Sequence, residues 1–152
     1  MSWRTITESD LKTALSNNEL ETLRRALGAE AEDTVTSTLQ LLASEIRDYI
    51  STGGTDLDAT AYTLPEGLIG RAVQIAIVRL STRAGGILPD PKGLRAKAAE
   101  SAEKFFADKV AEGKHAVEEP TTPATGAVSN KPAGPQVTAK TLYLQKDDQD
   151  GV

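Results

Sequence analysis

Between Leu64 and Leu80 the chain reads LPEGLIGRAVQIAIVRL, and no other stretch limits the possible folds as tightly. Pro65 and Glu66 suit a helix start, because the first turn has no use for a proline's missing N–H and its free N–H groups welcome an anion. The spacing predicts a helix over about residues 66–84. Leu68, Ile69, Ala72, Val73, Ile75, Ala76, Ile77, Val78 and Leu80 make it apolar over most of its circumference. Gly67, Gly70, Arg71, Gln74, Ser81 and Thr82 fall in one narrow stripe. A helix apolar on most sides is ordinarily central, with neighbours packed around it. The expected class is therefore all-α, a small bundle of about five helices around this central apolar helix.

The remaining helices follow from caps and periodicity. Thr7 caps a short helix, ESDLKTAL, with Asp10 at the capping-box position. Asn18 caps a second, ELETLRRAL, with Glu21 three residues on and Gly28 as a left-handed stop. Ile6, Leu11, Leu15, Leu20, Leu23 and Leu27 form a hydrophobic corner between them. A third helix runs over about residues 32–51, where Val35, Leu39, Leu42, Ile46 and Tyr49 or Ile50 recur at steps of three and four. The loop TDLDATAYTL carries no strong period. The last helix covers about residues 93–112, with Leu94, Ala98, Ala102, Phe105 or Phe106 and Val110 on its inner side. Gly113 ends it.

Composition then changes. Residues 1–114 form the helical domain, and residues 115–152 read as a long extended tail around the run PTTPATGAVSNKPAGP, which cannot build a core. Fully extended, that tail reaches roughly 125 Å at about 3.3 Å per residue. Near its end QVTAKTLYLQ differs. Val137, Thr138, Thr141, Leu142, Tyr143 and Leu144 favour a strand over residues 136–145. A strand-forming tip on a tether suits pairing with an edge, or insertion into a groove, on another chain.

The inventory of reactive groups is thin. The formal charge of −5 argues against a general nucleic-acid binder, which needs a basic footprint. There is no cysteine and one histidine, His115, so thiolate sites and any two-histidine site are excluded. Asp56/Asp58, Glu118/Glu119 and Asp147/Asp148 are carboxylate pairs in polar segments, where solvated surface is the expectation rather than acid–base work. Asp147, Asp148, Asp150 and Gly151 lack the distal Glu of a calcium loop. No apolar run reaches the roughly 18 residues of a membrane span. Neither an enzymatic activity nor a cofactor or metal is expected.

Arg71, Arg79 and Arg83 stand out, spread along the apolar helix. One reading has them reach to its rim or pair with Glu45 or Asp48. The other makes them subunit or portal contacts, or the lining of a lumen. With Val137, Leu142, Tyr143 and Leu144 they are the candidate interface residues.

Four segments carry a resemblance: ITESDLKTAL, TVTSTLQLLASEIRDYIS, AYTLPEGLIGRAVQIAIVRLS and ESAEKFFADKVAEGK. Their order and spacing, over about residues 5–113, resemble the head–tail connector or adaptor (head-completion) proteins of tailed bacteriophages, the Mu-like prophage connector family among them. The chain has Leu80-Ser81-Thr82 where family members often carry aromatics, and residues 115–152 match no part of the pattern. The resemblance implies a structural virion protein in the neck, made in the host bacterial cytoplasm. It implies a ring of copies, commonly dodecameric, between the portal protein and a stopper or tail-terminator protein. DNA would pass through the lumen without specific binding, and no membrane would be involved. A ring would also give the apolar helix lateral neighbours. The alternative is a small helical DNA-binding or protein-binding regulator, since ESDLKTALSNNELETLRRAL has helix–turn–helix length.

Overall fold

The computed structural model describes residues 2–124. Those residues are mostly helical, with one small sheet. Strand β1 (Trp3–Thr5) leads into helices α1 (Glu8–Leu11) and α2 (Asn17–Leu27), a 3-10 turn (Gly28–Glu30) and the long helix α3 (Ala31–Thr52). Strand β2 (Thr63–Pro65) runs directly into α4 (Glu66–Arg83). Helix α5 (Leu94–Phe105) continues as a π-helical turn (Phe106–Val110).

The sheet departs from the all-α expectation. β1 and β2 pair antiparallel, with Trp3 opposite Pro65, Arg4 opposite Leu64 and Thr5 opposite Thr63. Three residues per strand are too few to leave an alternating signature in the sequence. Burial of all three β2 residues fixes the pairing instead. Arg4 then ties the sheet to two helix starts, with Nε 2.7 Å from Glu66 Oε1 and Nη2 2.8 Å from Asp10 Oδ1.

Local signals account for the helix ends. The Thr7 N–H donates to Asp10 Oδ2 at 2.8 Å, as the capping box requires. The second cap is Ser16, two residues before Asn18. Glu19 N–H donates to Ser16 Oγ at 3.2 Å, and Ser16 N–H donates to Glu19 Oε1 at 3.0 Å. A turn directly after Leu11 shortens α1 to a single turn, half the expected helix. Leu11, Leu15, Leu20 and Leu23 nevertheless meet with Ile6 in the core.

Helix α4 touches α1, α2, α3, α5 and β2. Leu68, Ile69, Ala72, Val73, Ile75, Ala76, Ile77 and Leu80 are all buried within the single chain. Gly67, Gly70, Arg71, Gln74 and Thr82 form the exposed stripe, with Val78 half-buried along it. The apolar girth that invited lateral neighbours is thus covered by the chain's own fold, and alone it no longer calls for a second copy. On α5 and the π-helical turn the inner face is Ala99, Ala102, Phe106 and Val110, and Leu94 points outward, 64% exposed.

Two further features have no local signal in the sequence. Gly53 ends α3 at φ −76°, an ordinary right-handed value, so backbone freedom does not explain it. A Cβ there would run into the carbonyl oxygen of Val110, and would lie 3.2 Å from Val110 C and 3.4 Å from Gly113 N. Glycine lets α3 and the π-helical turn touch backbone to backbone. The second feature is that the body does not end at residue 114. Residues 115–124 return over it. Trp3 Nε1 donates to Glu118 O at 2.9 Å, Ala59 N–H to Thr122 O at 2.8 Å, and Ala124 N–H to Leu57 O at 2.8 Å. Pro120 is buried and Val117 packs against the core.

Candidate interaction surface

The three arginines of α4 do three different things. Arg71 lays its guanidinium 3.8 Å from the centre of the Phe105 ring, a close cation–π contact. The His115 ring meets the same phenylalanine edge-on at 4.8 Å. Arg79 donates through Nη1 and Nη2 to both oxygens of Glu45 at 2.9 Å, and Nη2 stands 3.5 Å from Glu103. It therefore joins α3, α4 and α5, and Glu45 in particular raises its pKa further. This is the pairing with Glu45 weighed from the sequence. Arg83 reaches back to Thr38 Oγ1 at 3.4 Å and makes no ion pair among the described residues.

The Arg79–Glu45 and Arg83–Thr38 contacts fix α3 and α4 as antiparallel neighbours. Between them lies an open groove of about 370 Å³. Leu41 and Val78 supply its apolar surface, Ser37 and Thr82 its hydroxyls, and Arg79 and Arg83 its cations. Leu41 is 60% exposed. Among the described residues the other exposed large hydrophobics are Ile87 on the α4–α5 connection, Leu94 at the start of α5 and Tyr62 in the loop before β2. Periodicity did not single out Leu41, because it neighbours Leu42 on a helix whose inner face needed only one of them. Val137, Leu142, Tyr143 and Leu144, and the expected strand at 136–145, lie outside the described residues.

A second polar cluster holds the returning segment. Arg47 donates to Thr63 O and Thr63 Oγ1 at 2.9 Å and to Asp58 O at 2.7 Å. The buried Asp58 carboxylate accepts from Thr122 Oγ1 at 2.8 Å and from the Thr60 N–H at 3.0 Å, with Thr63 Oγ1 at 3.1 Å. Burial pushes the Asp58 carboxyl up, but the hydrogen bonds from Thr122, Thr60 and Thr63 outweigh it and hold it below the ordinary range. Burial likewise lowers Arg47, against the pull of Asp58. Every partner here is another group of the same chain, so the cluster is a lock on residues 115–124.

A wider cleft of about 470 Å³ beside Arg79 carries Glu45, Glu100, Glu103 and Lys104 over a floor of Leu42, Ile75 and Phe106. Among the described residues no group of three or more His, Cys, Asp or Glu could hold a metal ion. No helix among them is long and apolar enough to cross a membrane. In the helix–turn–helix segment Arg24 is held by Glu8 at 2.7 and 2.8 Å, and Glu19 by Arg95 at 2.7 Å. No family model, no curated protein and no solved structure matches the chain.

Proposed function

We propose that this protein is a structural, non-enzymatic virion component, a head–tail adaptor whose copies form a ring between the portal and the stopper or tail. The bundle around α4 is its body and the chain beyond residue 124 its connecting arm. What supports the reading is the open groove between α3 and α4, where Leu41 stands 60% exposed beside Val78 and Arg83. A large apolar side chain exposed in a groove beside a cation suits an association surface. The resemblance of the four helical segments supplies the kind of assembly. Arg71 and Arg79 serve within the subunit in this reading, and Arg83 is left to face a partner. The ring's stoichiometry follows the family, commonly dodecameric, and DNA passes without being bound.

The helix–turn–helix alternative has less to support it. Its first helix is one turn long, and Arg24 of its second is already engaged by Glu8. The deciding measurement is the mass of the purified protein, alone and mixed with portal protein. A ring on the portal is expected. A monomer in both conditions would refute the adaptor, and salt-sensitive binding of random duplex DNA would favour the regulator.

A further inference from the structure

We infer that the α3–α4 face binds a second copy of this chain, in a two-fold pair that sets the groove of each copy against the acidic cleft of the other. The inference goes beyond the adaptor reading and does not depend on it.

Both hollows are lined by Arg79, so they lie side by side on one face of the body. Their characters are opposite. The groove presents Leu41 and the Arg83 guanidinium, which makes no ion pair among the described residues. The cleft has an apolar floor of Leu42, Ile75 and Phe106 under a rim of carboxylates. Arg79 already serves two of these, Glu45 at 2.9 Å and Glu103 at 3.5 Å, and the Lys104 ammonium is paired with Asp108 at 3.8 Å. Glu100 makes no ion pair among the described residues. The face therefore holds one unclaimed cation and one unclaimed anion, one in each of two hollows that adjoin at Arg79. Both side chains are exposed.

A face of that kind is complementary to itself when turned over. A two-fold axis near Arg79 lays groove on cleft twice, in equivalent contacts, as an isologous dimer requires. Arg83 of each copy then approaches Glu100 of the partner subunit, and each Leu41 leaves water for the partner's apolar floor. Two reciprocal charge contacts set the orientation, and the leucines supply the apolar part. No foreign partner has to be supposed, because what the groove lacks, a carboxylate beside an apolar hollow, stands next to it on the same surface. The pair occupies the face, so any larger assembly through it must first part the two copies.

Sedimentation velocity of the full-length protein over a range of concentrations reads the pairing. A monomer–dimer equilibrium weakened by salt is expected. Arg83→Glu alone and Glu100→Arg alone, both at exposed positions, should each raise the dissociation constant at least about tenfold, since each sets like charges together twice. Both changes in one chain should restore the dimer. Mixing the two single variants should restore it as well, as a pair of unlike chains whose contacts again join opposite charges. Monomer throughout overturns the proposal, as does a dimer whose strength ignores both substitutions. A ring or open string of free copies in place of the dimer overturns it too. A free monomer that forms a ring on the portal would refute this inference and leave the adaptor standing; a dimer that portal protein leaves unchanged would refute the adaptor and leave the pair.

Discussion

Substituting Gly53→Ala should destabilise the protein although glycine there adopts an ordinary helical conformation. A Cβ would collide with the Val110 carbonyl oxygen and crowd Val110 C at 3.2 Å and Gly113 N at 3.4 Å. All three atoms are backbone, so no rotamer change relieves the contact. The π-helical turn must move, and it carries Phe106 and Val110, 0% and 1% exposed. Overpacking of this kind costs about 1–3 kcal/mol. Alanine restricts the unfolded chain and returns about 0.4–1 kcal/mol. The net loss is about 2 kcal/mol at the upper part of that range, and a domain of this size loses about 4 °C per kcal/mol, giving a Tm about 8 °C lower. Gly70→Ala is the control. It lies on the exposed stripe of α4 with nothing within 4 Å of a built Cβ. The same restriction of the unfolded chain plus better helix propensity should raise its Tm by about 2–4 °C. Scanning calorimetry on both variants separates the contact from the chain effect. A Gly53→Ala protein melting at or above the parent would refute the backbone-contact argument.

Three further outcomes follow from the polar contacts. Asp58 is held below its ordinary value when folded, so its stabilising contribution is full above about pH 4 and is lost as pH falls through the depressed folded value. Urea midpoints from pH 6 to 2 should therefore drop less steeply for Asp58→Asn than for the parent, and parallel curves would contradict the lock. Arg79→Ala should cost under about 1 kcal/mol, because the Arg79–Glu45 pair is partly exposed, at 31% and 40%; a loss that is insensitive to salt would show that packing, not charge, is at stake. Trp3 is the single tryptophan and bonds to Glu118 O, so cutting the chain after Lys114 should red-shift its emission, whereas cutting after Ala124 should not.

The parts legible in the sequence are those that signal locally. Thr7 with Asp10, Gly28, the steps of three and four through Val35–Ile50, and Pro65–Glu66 each act within one turn of chain. The rest depends on partners far away in sequence. Nothing in Trp-Arg-Thr announces that it will pair with Thr-Leu-Pro. The segment 115–124 has the composition of a free tail, and it is fixed by acceptors and donors on other elements, Asp58 and Trp3 above all. Its inward residues, Val117 and Pro120, fall on no helical or strand repeat, so periodicity had nothing to find. The candidate surface was half legible. Spacing picked out Arg79 and Arg83 but could not show that Glu45 claims only the first, and Leu41 was hidden beside Leu42.

Trp3 is held by a residue 115 positions later in the chain. On the ribosome, where synthesis runs from the N-terminus, Trp3 must wait for nearly the whole body before its anchor exists. Strand β1 is likewise idle until β2 is made. The helices can condense as they appear and β2 can take up β1, but the Trp3 indole is secured only with residues 115–124, and a nascent chain arrested near residue 114 should still lack that anchor.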